Sequence, residues 1–478
     1  MTATDLIAIL PLIVLTVSAL IMLLVIAFYR CHDLTFGLTV LGLVLSLGAL
    51  APAAVILPRQ VTILFILDQY GLFFMGLLFA SSLVVTLLTY AYFSKQPGAY
   101  EELYLLLLIA TLGAAALVIS SHFVSFLLGL EVLTVSLYSL IAYLRSERSI
   151  EAGLKYLVLA AVSSAFLLFG MALVYADLGS MDLAQLATRL AAEAGQATPL
   201  FLTGLGLMLI GIGFKLAVVP FHMWTPDIYQ GAAAPVTAFI ATVSKGGMFA
   251  LLLRHFSRLD PQAYDSLVLV IALIAAASML AGNLLALLQN NVKRILAYSS
   301  IAHLGYLLVA FLAGGSLAAT AVIYYLVAYF VTIMSAFGVV TLLSGPAGEA
   351  EQLEEYRGLL WRRPWLASVL ILALLSLAGI PLTAGFIGKF YVVAAGVNST
   401  LWTLVILMVI SSAIGLYYYL RIVVVMGLAP QPALPQAAPG RALPFAGNLA
   451  LAALVLFIVW LGVYPSPLVE MIEGAIGI

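Results

Sequence analysis

The chain has 478 residues, of which 65% are hydrophobic and 8% charged, and its formal net charge is −1. Soluble proteins carry about 25% charged residues, so this composition excludes a soluble enzyme, leaves no basic surface for nucleic acid, and implies a polytopic membrane protein. The single cysteine, Cys31, excludes an intrachain disulfide and a cysteine-ligated iron-sulfur cluster, which needs four thiolates.

A helix needs about 20 apolar residues to cross the hydrocarbon core. On that basis the hydropathy predicts an all-α fold of fourteen spans, near residues 5–27, 34–56, 70–93, 103–120, 122–144, 154–176, 199–221, 235–253, 264–287, 295–313, 317–343, 366–396, 401–427 and 444–464. The first has no basic leading region and no cleavage site, so it reads as a retained helix rather than a signal peptide. No boundary separates a second globular domain, and 1–478 is read as one membrane domain.

Basic residues orient the spans. Assigning loops alternately gives one side Arg30, Lys95, Arg145, Arg148, Lys155, Lys293, Arg294, Arg357, Arg362, Arg363, Arg421 and Arg441. The other side receives Arg59, Arg189, Arg254 and Arg258. The richer side is expected to be cytoplasmic, with both termini facing away from it.

Four charges fall inside the predicted spans: Glu131 in the fifth, Lys215 in the seventh, Lys245 in the eighth and Lys389 in the twelfth. A charge at bilayer depth costs about 2.5–3.5 kcal/mol on insertion scales, so such residues usually face a bundle interior and handle ions. Lys245, at mid-span, is too deep to snorkel. Lys215 lies nearer an end and Glu131 also fits a static ion-pair partner, so for these two a structural role stays open. The seventh span also holds Gly204, Gly206, Gly211 and Gly213. With no strand before them they read as close helix packing rather than a dinucleotide loop, and no metalloprotease, P-loop or nucleophile-elbow motif occurs.

Two spans are interrupted. Pro220 lies five residues after Lys215, and Gly379, Pro381, Gly385 and Gly388 precede Lys389. Proline removes a backbone donor, and non-helical backbone at membrane depth survives only where protein or water solvates it. The breaks fall fourth in two five-helix sets of opposite orientation, 103–253 and 264–427. That pattern predicts inverted repeats with ion sites at the breaks, preceded by three helices (1–93) and followed by one (444–464).

The run His222-Met223-Trp224-Thr225-Pro226-Asp227-Ile228-Tyr229, then Pro235-Val236-Thr237-Ala238-Phe239 and Ser244-Lys245, resembles the N-subunit family of bacterial NADH:quinone oxidoreductase, respiratory complex I. The segment from Asn291 to Tyr306, NVKRILAYSSIAHLGY, is similarly characteristic. The plan is shared with the wider antiporter-like family, including cation/proton antiporter subunits. A lysine at position 389 favours the N over the M subunit, and the lack of a long amphipathic helix after 464 argues against the L subunit. Ala233-Ala234 replaces the family's usual Pro-Thr and leaves the conformation of that connection open.

The resemblance implies a cofactor-free proton-translocating subunit in a bacterial inner membrane, its termini periplasmic. NADH, FMN, iron-sulfur clusters and quinone are expected in partner subunits. The partners implied are a neighbouring antiporter-like subunit, small membrane subunits and the lipid bilayer. Carried over, Glu131, Lys215, Lys245 and Lys389 form a proton relay. At about 5 Å and an effective dielectric near 20, Glu131 and Lys215 would attract by about 3 kcal/mol, enough to load or release a proton as the acid moves. The alternative is a cation/proton antiporter subunit. His222 and His303 are secondary candidates, each either a proton carrier or a satisfied core residue. Tyr298, Ser299, Ser300 and Tyr306 suit support of a water chain or plain backbone bonding, whereas Tyr417, Tyr418 and Tyr419 read as packing or interface aromatics. Residues 177–197 are expected to form a short amphipathic surface segment, 344–364 a solvated charged face, and 428–440 a linker.

Overall fold

The computed structural model describes residues 2–94, 96, 98–192, 198–257, 264–345, 348–430 and 445–477. Lys95, Arg258, Arg441 and most of the expected linker lie outside the described residues. Among the described residues thirteen helices are long and apolar enough to cross a membrane. A further crossing is assembled from two short apolar helices, Pro364–Ala378 and Ala384–Asn398. Together they match the fourteen expected segments, and ordinals below follow that order.

The eighth span (Ala234–Phe256) is wholly enclosed, and the tenth (Val292–Ala313) and eleventh (Gly315–Leu343) nearly so. The first (Leu10–Phe28) and sixth (Glu147–Leu178) are mostly exposed on their apolar sides, as lipid-facing helices are. The three lysines and their polar neighbours therefore have a protein interior to occupy. Loop contacts support the alternating path. Among the described residues, Arg30–Glu102, Arg148–Glu351, Lys155–Asp227, Lys293–Glu349 and Arg294–Asp227 join loops of the basic side. Arg59–Asp5 and Arg254–Asp68 join loops of the other, where a two-stranded hairpin, Arg59–Val61 with Phe65–Leu67, also packs on the Ser120–Ser121 turn.

Gly204, Gly211 and Gly213 of the seventh span serve close packing, whereas a Cβ on Gly206 would meet nothing. A Cβ on Gly204 would meet Val174 at 2.8 Å, and one on Gly211 would meet Leu167 at 2.6 Å. The surface segment forms the helix Leu183–Ala192, burying Leu183, Leu186 and Leu190.

The 344–364 loop departs from the expectation of a solvated face. Glu349 pairs with the buried Lys293, and Glu351 accepts from Arg148 Nη1 (3.0 Å), Gln230 Nε2 (3.2 Å) and Asn291 Nδ2 (2.9 Å). Charge pattern alone reads as solvated; the loop instead folds back because these acids meet bases and amides from three other connections.

Candidate functional site

The seventh span ends sooner than its hydropathy suggests. Its helix, Pro199–Leu216, stops at Ala217, which takes a left-handed conformation (φ 61°, ψ 41°), and resumes as Trp224–Gly231. Protein groups solvate the gap, as they must at this depth: Trp224 Nε1 donates to the Phe214 carbonyl (3.1 Å) and the Val219 N–H donates to Ser278 Oγ (2.9 Å). Lys215 occupies the last turn, where the helix dipole favours a cation. It is buried, which rules out snorkelling, and donates to Tyr156 OH (2.9 Å) and Thr134 Oγ1 (3.1 Å).

Glu131 lies on the fifth span one turn before Thr134, within electrostatic reach of Lys215. Its Oε1 accepts the hydroxyl of Ser164 at 2.6 Å. Among the described residues no ion pair within 4 Å joins it to a base.

Lys245 follows a π-helical turn, Ile240–Ser244. Such a turn inserts an extra residue and re-aims the side chains after it. The Lys245 ammonium donates to Ser300 Oγ at 2.7 Å and lies 5.6 Å from the centroid of the Tyr229 ring. Ser300 also accepts from Tyr329 OH (2.7 Å) and lies 3.3 Å from Tyr229 OH. Lys245 and Ser300 belong to the eighth and tenth spans, so this contact bridges the two.

His303 stands three residues after Ser300, with Nδ1 2.6 Å from Tyr325 OH and Nε2 3.2 Å from Tyr419 OH. It lies within electrostatic reach of both Lys245 and Lys389. Tyr419 also bonds Ser299, and Asn283 Nδ2 donates to Tyr306 OH (3.0 Å) and Ser411 Oγ (2.6 Å). Tyr418 OH donates to Asn283 Oδ1 at 2.9 Å. Tyr418 and Tyr419 are thus members of a polar network rather than packing aromatics, and Ser299 and Ser300 bond side chains rather than backbone.

The twelfth span stops at Gly379 (φ 85°) and restarts at Ala384. Lys389 lies beyond the break in sequence, yet its ammonium reaches back to the Ala378 carbonyl (2.9 Å) and to Ser412 Oγ (2.6 Å), 5.3 Å from the Tyr306 ring centroid. Both lysines of the broken spans therefore sit at the C-terminal, electronegative end of a half-helix. Gly379 is required there by its positive φ and because a Cβ would meet Lys389 Cδ at 2.8 Å.

The structure brings Lys245, His303 and Lys389 into one polar seam, with Lys215 and Glu131 at its near end. The Tyr156 and Tyr229 hydroxyls lie within electrostatic reach of one another between Lys215 and Lys245. His222 stays apart: it is buried in the seventh-span connection, Nδ1 has no partner among the described residues, and no hydrogen bond links it to the four charges. Sequence reasoning missed Tyr156, Tyr229, Tyr325, Tyr329 and Asn283. Each is an ordinary residue of an apolar segment, and only its facing the same interior distinguishes it.

Residues 120–415 match the family described as NADH:quinone oxidoreductase/Mrp antiporter, TM. Over 482 residues the chain is 50% identical to NADH-quinone oxidoreductase subunit N of Ectopseudomonas mendocina, covering 99% of this chain and 97% of that one. A chain of respiratory complex I from Thermus thermophilus, solved with bound aureothin, superposes with a TM-score of 0.82 at 34% identity, covering 96% of this chain and 98% of that one. A chain of the Mrp complex from Dietzia sp. shares the fold, with a TM-score of 0.86 at 21% identity, covering 99% and 97% respectively.

Proposed function

This chain belongs to the NADH:quinone oxidoreductase/Mrp antiporter family, and from that membership we propose that it works as a proton-translocating membrane-arm subunit of an NADH:quinone oxidoreductase. Oxidation of NADH and reduction of quinone take place in partner subunits, with their FMN and iron-sulfur clusters. This chain's contribution is the proton path. It sits in a bacterial inner membrane beside another antiporter-like subunit and small membrane subunits, with both termini periplasmic.

One observation carries the reading: Lys245 donates to Ser300 at 2.7 Å in the fully enclosed eighth span, joining the seam of one five-helix set to that of the other. Hydroxyls and imidazole both donate and accept; Ser300 with Tyr329, and His303 with Tyr325 and Tyr419, are two hydrogen-bonded groups whose nearest rings, Tyr329 and His303, lie 5.5 Å apart, and together they serve to hand a proton from Lys245 towards Lys389. Lys215, flanked by Tyr156 and Thr134, loads the near end. Glu131 moves between Ser164 and Lys215 and thereby tunes how firmly Lys215 holds its proton. Lys389 discharges the far end, where Ser412 and the Ala378 carbonyl hold it. The two sets, 103–253 and 264–427, act as inverted halves, each with a cation at the end of a broken helix.

Proton pumping in vesicles tests this reading. NADH-driven acidification carried by the whole complex should fall at least about tenfold in Lys389→Met, with no ion exchange when the electron donor is withheld. Persisting sodium- or potassium-for-proton exchange without a donor would instead make the chain an antiporter subunit. The seam argues against that alternative, because Glu131 is the one carboxylate among its described residues and hard cations take six or more oxygen ligands.

A further inference from the structure

We propose that Lys293 and Glu349, acting through Gln230, form a positioning lock that sets Lys245 against Ser300; the inference rests on the relay reading above. Lys293, the second residue of the tenth span, is fully buried. Its ammonium pairs with Glu349 and donates to the carbonyls of Gln230 (3.1 Å) and Ala232 (2.6 Å). Glu349 Oε1 accepts the N–H of Ala234 at 2.8 Å. A buried ion pair from the second set thus fixes three backbone groups of one short connection in the first.

The same connection is held by its side chain. Gln230 Nε2 donates to Glu351 (3.2 Å) and Gln230 Oε1 accepts from Arg294 (3.2 Å). What the connection joins gives the lock its consequence. On one side Tyr229 places its ring against Lys245 and its hydroxyl 3.3 Å from Ser300. On the other, Ala234 opens the eighth span that carries Lys245. The lock's cation and the proton acceptor, Lys293 and Ser300, stand seven residues apart on the tenth span, so a shift of that helix moves both ends of the Lys245 contact together.

Stability alone is a poor reason for the pair. Replacing a buried ion pair with apolar residues is often neutral or stabilising, whereas the pair supplies directional bonds that an apolar contact cannot.

The test uses the assembled complex in membrane vesicles, reading protons pumped per quinone reduced together with complex yield. Glu349→Gln keeps an acceptor for Ala234 but removes the charge. It should lower pumping about tenfold, Tyr229→Phe alone about fivefold, and the two together still about tenfold, because both act on one contact. A combined loss near the product of the two, about fiftyfold, would overturn the lock and leave a structural ion pair. Pumping unchanged in Glu349→Gln would overturn it too. If Glu349→Gln prevents assembly, Gln230→Leu, which removes only the two side-chain bonds, is read by the same standard. Lys245→Met is the control: normal pumping there overturns the relay reading itself, while lost pumping beside a normal Glu349→Gln overturns the lock alone.

Discussion

Lys215 and Glu131 are neighbours that do not close an ion pair. Lys215 donates to Thr134 and Tyr156, and Glu131 takes the hydroxyl of Ser164 at 2.6 Å. The acid is parked on Ser164, one helical turn before the Thr134 that Lys215 bonds, and within electrostatic reach of the amine. This is the arrangement a switch needs, since a closed pair would be a fixed charge partner.

Ser164→Ala should therefore release Glu131 towards Lys215 and over-stabilise the charged amine. The expected result is pumping reduced several-fold, with assembly unchanged; Glu131→Gln should reduce it further. Equal pumping in Ser164→Ala and wild type would make the serine contact incidental. A hydrogen bond to a charged group contributes about 1.5–3 kcal/mol, enough for such an effect.

Gly379→Ala should impair Lys389 specifically. A left-handed non-glycine residue costs about 1–2 kcal/mol, and the new Cβ would press on the Lys389 stem at 2.8 Å. Pumping should drop more than the thermal stability of the complex does. A loss of stability with pumping per assembled complex intact would show that Lys389 tolerates displacement.

His303 bonds two tyrosine hydroxyls, at 2.6 and 3.2 Å. His303→Phe fills the space but orphans the Tyr325 hydroxyl, at about 1–3 kcal/mol for a buried group, leaves Tyr419 with Ser299, and breaks the seam. His303→Gln restores a donor and an acceptor without a ring that carries protons. Stability recovered in His303→Gln with pumping still at least about tenfold down is the expected pattern, whereas recovery of both would reduce His303 to a core residue.

Much of this was legible beforehand, for physical reasons. Fourteen crossings follow from hydropathy, and among the described residues each loop ion pair joins loops assigned to one side. The four charges stand out because a membrane interior makes charge expensive. The π-helical turn before Lys245 was not legible, since nothing in Ile240–Ser244 departs from ordinary helix-forming sequence. Nor was the reach of Lys389 back across its break, which depends on the chain folding on itself over eleven residues. Glu349 and Glu351 read as solvated because their partners, Lys293 and Gln230, are distant in sequence.

Asp227 gives an acid-side prediction. Burial works against its charge, but hydrogen bonds from Lys155 and Arg294 outweigh burial and hold its carboxyl below the usual value of 3.8. Because the folded value is the lower one, the stability it contributes is complete above pH 3.8 and is lost as pH falls through the lowered value. Thermal unfolding of the complex followed from about pH 6 to about pH 3 should show the advantage of wild type over Asp227→Asn shrinking towards the acid end. A difference independent of pH would mean that the carboxylate charge is not what holds this junction.

The most direct measurement is quinone-reductase turnover and proton pumping, recorded together in vesicles carrying Lys245→Met after assembly is confirmed. Methionine keeps the length and apolar bulk of the stem and removes only the ammonium that contacts Ser300. Collapse of pumping, with turnover falling beside it, is what a relay through Lys245 requires. Turnover and pumping both at wild-type levels would make Lys245 a structural charge and contradict the path through the seam.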